Sequence, residues 1–246
     1  MLTNGSVTEN GQGKLRALLF DKDGTLVDFN ATWAPALEGV MRHFCGADEA
    51  LFARLVAINR YDLAARRLMP DSPFIAEASP DFGLRWADCL GLEADEAFFQ
   101  RLDALFNEGS LAHATPIGDP VSLLAALKGA GYQLGIVTND TEASAMAQSH
   151  RLGFHTWFDR IIGYDSGYGH KPDPGQILAF ADEFSLRPIE IAMIGDSRHD
   201  LDAARAAGVI AIGVASGFAS AEALAPYADH VLPDIMHLPA LLEQLG

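Results

Sequence analysis

From about Thr115 onward the chain alternates short apolar runs with helix-patterned segments, and this alternation constrains the fold more than any other feature. Residues 133–137, 160–163, 189–194, 209–213 and 230–232 read as strands. Residues 120–131, 141–152, 175–184, 199–207 and 235–245 read as the helices that connect and follow them. Strands separated by helices imply right-handed crossovers and a mostly parallel sheet. A further apolar run, Leu15 to Phe20, stops ahead of a glycine turn and reads as a buried strand of the same sheet. The expected fold class is therefore α/β, a doubly wound and mostly parallel Rossmann-like sheet.

Residues 30–114 break the pattern. They are rich in Ala, Leu, Arg and Phe, with helical periodicity at 33–44, 49–60, 85–90 and 95–106 and no strand. A crossover between parallel strands takes about 30 residues including the strands. The excess predicts a helical cap inserted over the sheet's carboxyl edge, where inserts commonly act as lids. The expected division is a core of residues 14–29 and 115–246, a cap of residues 30–114, and a disordered polar tail at residues 1–13.

A net charge of −16 excludes a nucleic-acid partner, which needs a basic surface. No apolar run approaches the ~18 residues of a membrane span. The two cysteines, Cys45 and Cys89, read as small buried apolar residues of a reduced, cytoplasmic protein. The aromatic insert residues Trp33, Phe44 and Phe52 suit either a cap core or a subunit face, so the chain is expected to be a monomer or a homodimer.

Four apolar runs lead to functional residue types. The first is followed by Asp21 and Asp23, which in extended chain would share one side. The others lead to Thr138-Asn139-Asp140, to His170-Lys171-Pro172, and to Asp196-Ser197 with Asp200 beyond. In a parallel sheet these gather along one edge. Carboxylates suit a hard divalent cation, and a hydroxyl and a lysine suit the equatorial oxygens of a phosphoryl group.

In order and spacing, Asp21-Lys22-Asp23-Gly24-Thr25, Thr138-Asn139, Lys171-Pro172 and Gly195-Asp196-Ser197-Arg198-His199-Asp200 resemble the motifs of the haloacid dehalogenase superfamily of phosphohydrolases. The wider stretches 19–28 and 169–174 resemble its phosphoglycolate phosphatase-like branch. The resemblance implies a Mg2+-dependent phosphatase acting on a small phosphorylated metabolite. Asp21 would be the nucleophile. Asp23 would be the acid and base, with its carbonyl near the metal. Thr138 and Lys171 would hold the phosphoryl group, and Asn139 would support that loop. Asp196 and Asp200 would complete the Mg2+ site with Asp21 and Asp23. Lys22 departs from the family, where an apolar residue is common; strand alternation would point it away from both aspartates.

A phosphomutase would use the same aspartyl phosphate and differ only in its lid. A dehalogenase would have no use for Asp23, since halide leaves unprotonated. A phospho-accepting signalling domain would be about half as long and would lack the Asp196–Asp200 pair.

Overall fold

The computed structural model describes residues 14–76 and 79–245, so the tail expected at residues 1–13 lies outside the described residues. The chain opens with β1 (Ala17–Phe20), α1 (Phe29–Cys45) and α2 (Glu49–Ile58), then β2 (Tyr61–Asp62) and β3 (Arg67–Leu68). It continues through α3 (Pro73–Ala76), α4 (Ser79–Leu90), α5 (Glu96–His113) and α6 (Pro120–Gly129). The alternating portion is β4 (Gln133–Val137), α7 (Glu142–Arg151), β5 (Arg160–Ile162), α8 (Gly175–Glu183), β6 (Ile191–Gly195), α9 (Arg198–Ala207) and β7 (Ile210–Val214). It closes with α10 (Ala221–Leu224), β8 (His230–Leu232) and α11 (Leu238–Leu245).

Six strands form one sheet in the order β5-β4-β1-β6-β7-β8, and each neighbouring pair is parallel. This is the doubly wound α/β fold expected from the alternation. The winding reverses at β1, with β4 and β5 on one side and β6 to β8 on the other. Such a reversal opens a crevice at the strands' carboxyl ends. Phe20 lies opposite both Ile136 and Ile194, so β1, β4 and β6 end nearly level. The residues that follow them emerge side by side.

Period-two alternation divides β1 between two cores. Leu18 and Phe20 join Leu124, Ile136, Ile194 and Leu238 on one face. Ala17 and Leu19 join Ile177, Phe180, Met193 and Leu201 on the other. A third core lies outside the sheet, where Leu37 and Met41 of α1 meet Phe52 and Leu55 of α2, Trp86 of α4 and Leu102 of α5. Asp28 caps α1, accepting from the Ala31 N–H at 2.9 Å.

Two features of residues 30–114 differ from the sequence reading. The segment contains a small hairpin, with Tyr61 paired to Leu68 and Asp62 to Arg67. Strands of two residues carry no readable alternation. In addition, α5 continues through Gly109 to His113, although glycine ordinarily weakens a helix. A Cβ at Gly109 would stand 3.1 Å from Cβ of Ala36 on α1, so the glycine permits close helix packing that overrides local propensity.

Candidate active site

Asp21 leaves the end of β1 with its N–H donating to the Ile194 carbonyl at 2.8 Å. Its Oδ1 accepts from Lys171 Nζ at 2.6 Å. The same Nζ donates to Asp200 Oδ1 at 2.6 Å and to the Val137 carbonyl at 2.8 Å. All three ammonium protons therefore have acceptors. Asn139 fixes the lysine's backbone: its Nδ2 donates to the Lys171 carbonyl, and its Oδ1 accepts from the Lys171 N–H, both at 2.9 Å. Thr138, at the end of β4, accepts from the Asp140 N–H at 3.1 Å, while Gln176 donates to its carbonyl at 3.0 Å. Thr141, not Thr138, caps α7.

Asp196 follows β6 and is enclosed by backbone. A Cβ on Gly24 or on Gly217 would collide with its carboxylate, and Gly24 also sits at φ +83°. Gly24 is held in place by Ser216, whose Oγ donates to its carbonyl at 2.7 Å. Asp200 lies in the first turn of α9, and its Oδ2 accepts from the N–H of Ser197 at 3.0 Å and from its Oγ at 2.6 Å. One oxygen each from Asp21, Asp196 and Asp200 falls within 4.8 Å of the others, all three residues buried.

Burial pushes the Asp21 carboxyl from 3.8 up to about 7, against the pull of Lys171 and with the push of Asp200. Burial also raises Asp196 well above the carboxylate range, with Asp21 and Asp200 adding to it. Burial opposes the Lys171 charge, yet Asp200 and Asp21 hold its pKa above that of an ordinary lysine. Fully ionised, the three carboxylates and one ammonium leave two negative charges in a buried space. The donors are hard oxygens, so the set fits Mg2+ in both charge and ligand type.

Asp23 sits apart from that cluster. Its Oδ1 accepts from Trp33 Nε1 at 2.7 Å, and its Oδ2 is ion-paired with Lys22. Its side chain adds no oxygen to the acidic cluster. Lys22 corrects the sequence expectation, because it turns toward Asp23 rather than away. The strand stops at Phe20, and the N–H groups of Leu26 and Val27 both return to the Lys22 carbonyl, so strand alternation no longer applies. Fully buried, Lys22 also pairs with Asp140 Oδ2 at 3.2 Å and donates to Gln148 Oε1 at 2.9 Å. Burial opposes its charge, but Asp23 and Asp140 raise its pKa above the usual lysine value.

Asp21, Asp23, Thr138, Asn139, Lys171, Asp196 and Asp200 all line one cavity of about 570 Å³. Trp33, Phe74 and Phe218 line it too, and none of these was assigned to the site from sequence. His199 borders it, whereas His170 is not among its described lining residues. Arg60 and Arg66 are engaged by Asp71 and Glu38, and none of the four is among the cavity's described lining residues.

The sequence model of the haloacid dehalogenase-like hydrolases matches residues 15–208. This chain belongs to that family. Among its curated relatives is a phosphoglycolate phosphatase of Rhodospirillum rubrum, 31% identical with 87% of each chain covered. Another, from Escherichia coli, is 26% identical with 92% of each covered. The fold is similar to that of CbbY from Rhodobacter sphaeroides, solved in complex with phosphate, with a TM-score of 0.69. That pair is 20% identical, with 91% of this chain and 96% of the other covered. The likeness to the phosphoglycolate phosphatase-like branch makes this chain a hydrolase of the phosphatase type. Among the described residues no helix is long and apolar enough to cross a membrane.

Proposed function

We propose that this protein is a Mg2+-dependent phosphatase that hydrolyses a small phosphomonoester through an aspartyl phosphate on Asp21. The observation that carries this reading is the shared ammonium of Lys171, which holds Asp21 and Asp200 beside Asp196 at the ends of adjacent strands. A carboxylate is a weak nucleophile, and it gains from neighbouring positive charge and exclusion of water.

Asp21 attacks phosphorus, and the bond to the leaving oxygen breaks as Asp23 delivers a proton to that oxygen. Asp23 then takes a proton from water, whose oxygen attacks phosphorus and returns Asp21 as a carboxylate. Thr138 and Lys171 hold the phosphoryl oxygens, and Asn139 braces Lys171. Asp21, Asp196 and Asp200 would hold Mg2+, with Asp23 reaching it only through its carbonyl. When bound, the ion offsets the negative charge of phosphate and nucleophile. Residues 30–114 act as a cap that closes the site from water. The relatives' name makes 2-phosphoglycolate the reference compound for a substrate panel, and the chain is read as a monomer or homodimer in the cytoplasm.

The test is p-nitrophenyl phosphate hydrolysis with Mg2+ or EDTA, for wild type and Asp21→Asn. Metal-dependent turnover that vanishes in the variant is expected. A folded, Mg2+-saturated wild type that releases no phosphate from any monoester would sink the proposal.

A further inference from the structure

Part of the cavity lining is a chain of rings. Phe218 meets Phe29 at a centroid distance of 5.1 Å, Phe29 meets Trp33 at 6.3 Å, and Trp33 meets Phe74 at 6.0 Å. Phe74 then reaches Phe106 at 5.1 Å. All five line the cavity. The charges among its described lining residues are lopsided. Asp103 and Asp140 stand with the four aspartates already described, against Lys171 as the only lysine or arginine. Lys171 lies at the phosphate end, bonded to Asp21, Asp200 and Val137. The insert arginines Arg60, Arg66, Arg67 and Arg85 are not among the described lining residues. Tyr164 also borders the cavity, and its phenol is raised by burial and then by the nearby charges of Asp165, Asp103 and Asp140.

A carboxylate in that part of the cavity would lose its water against hydrocarbon rings and meet Asp103, while the buried lysine nearest the rings, Lys22, 5.7 Å from the Trp33 ring centre, is already paired with Asp23 and Asp140. A flat apolar group would instead bury its surface against the rings and stack edge or face with them. We infer that the substrate is a phosphomonoester whose alcohol portion carries an apolar ring and no negative charge, a class that excludes 2-phosphoglycolate. This rests on the phosphatase reading for the phosphate end and on the aromatic wall for the other end.

The test separates the two. Binding of 2-phenylethylphosphonate and of phosphonoacetate is measured by calorimetry at saturating Mg2+. The phenyl ligand is expected to bind at least ten-fold more tightly. Phe74→Ala weakens that ligand selectively, and Asp103→Arg, on the exposed mouth, narrows the ratio at least three-fold. Phosphonoacetate binding as tightly as the phenyl ligand, or a ratio unmoved by both substitutions, would overturn the inference. Turnover of 2-phenylethyl phosphate is assayed in parallel. Selective binding without turnover of any monoester would uphold the pocket chemistry and overturn the phosphatase reading.

Discussion

Lys22 Nζ, itself fully buried, is ion-paired with the carboxylate of Asp23, the next residue in the chain, whose side chain lines the cavity. The pair continues to Asp140 and Gln148, so the proposed acid is anchored to α7 through a lysine. Lys22→Met removes the anchor. The expected loss in kcat/KM is on the order of ten-fold or more for an alkyl phosphate, whose leaving oxygen needs a proton. It is smaller for p-nitrophenyl phosphate, whose leaving group is stable as an anion. Equal losses on both substrates would show that Lys22 serves only the fold.

Lys171→Met leaves Asp21 and Asp200 as buried carboxylates without their shared cation. Breaking such a pair costs about 3–5 kcal/mol. Metal-free Lys171→Met should therefore unfold in less urea than wild type, and Mg2+ should recover part of the difference. Turnover should be lost under all conditions.

Gly217→Ala places a methyl group against Asp196 while leaving every proposed ligand unchanged. Reorienting a ligand from outside its coordination shell typically costs 10–100-fold in metal affinity. A Mg2+ titration of activity should move its midpoint by roughly 10-fold or more, with thermal stability in EDTA much less affected. An unmoved midpoint would show that Asp196 has room the glycines do not need to supply.

The raised pKa of Asp21 sets a pH dependence. Between about 4 and about 7 the folded protein keeps a proton that the unfolded chain has released, so metal-free stability contributed by this group falls as pH rises through that window. Mg2+ binds the ionised form, so its stabilising effect grows over the same range. Thermal midpoints in EDTA and in Mg2+, at pH 5.5 and 8, should show a larger metal-induced rise at pH 8. Asp21→Asn should flatten this dependence.

The fold and the polar residues of the site were legible for a common reason. Buried parallel strands must be apolar throughout, so Asp21, Thr138 and Asp196 stand out where β1, β4 and β6 end. The strand order was not legible, because the alternation is the same whichever way the winding turns. Lys22 was misplaced because its direction is set by the turn after Phe20, and the partners of its side chain, Asp140 and Gln148, lie more than a hundred residues away. Gly217 and Phe218 went unnoticed because the loop after β7 carries no charged residue at its start. The ring chain was hidden for a related reason, since Phe29 and Trp33 of α1, Phe74 of α3 and Phe106 of α5 lie far apart in the chain and pack with the core outside the sheet.

Trp33 belongs to two assemblies at once, since its ring is part of the aromatic wall and its indole N–H donates to Asp23. The side chain that would meet the leaving group is thus the one that aims the proton donor. Selectivity and rate are joined at this position. Laboratory evolution toward a bulkier substrate would be expected to change Phe74 or Phe218 readily and to retain Trp33, because enlarging the pocket there also sets the acid adrift.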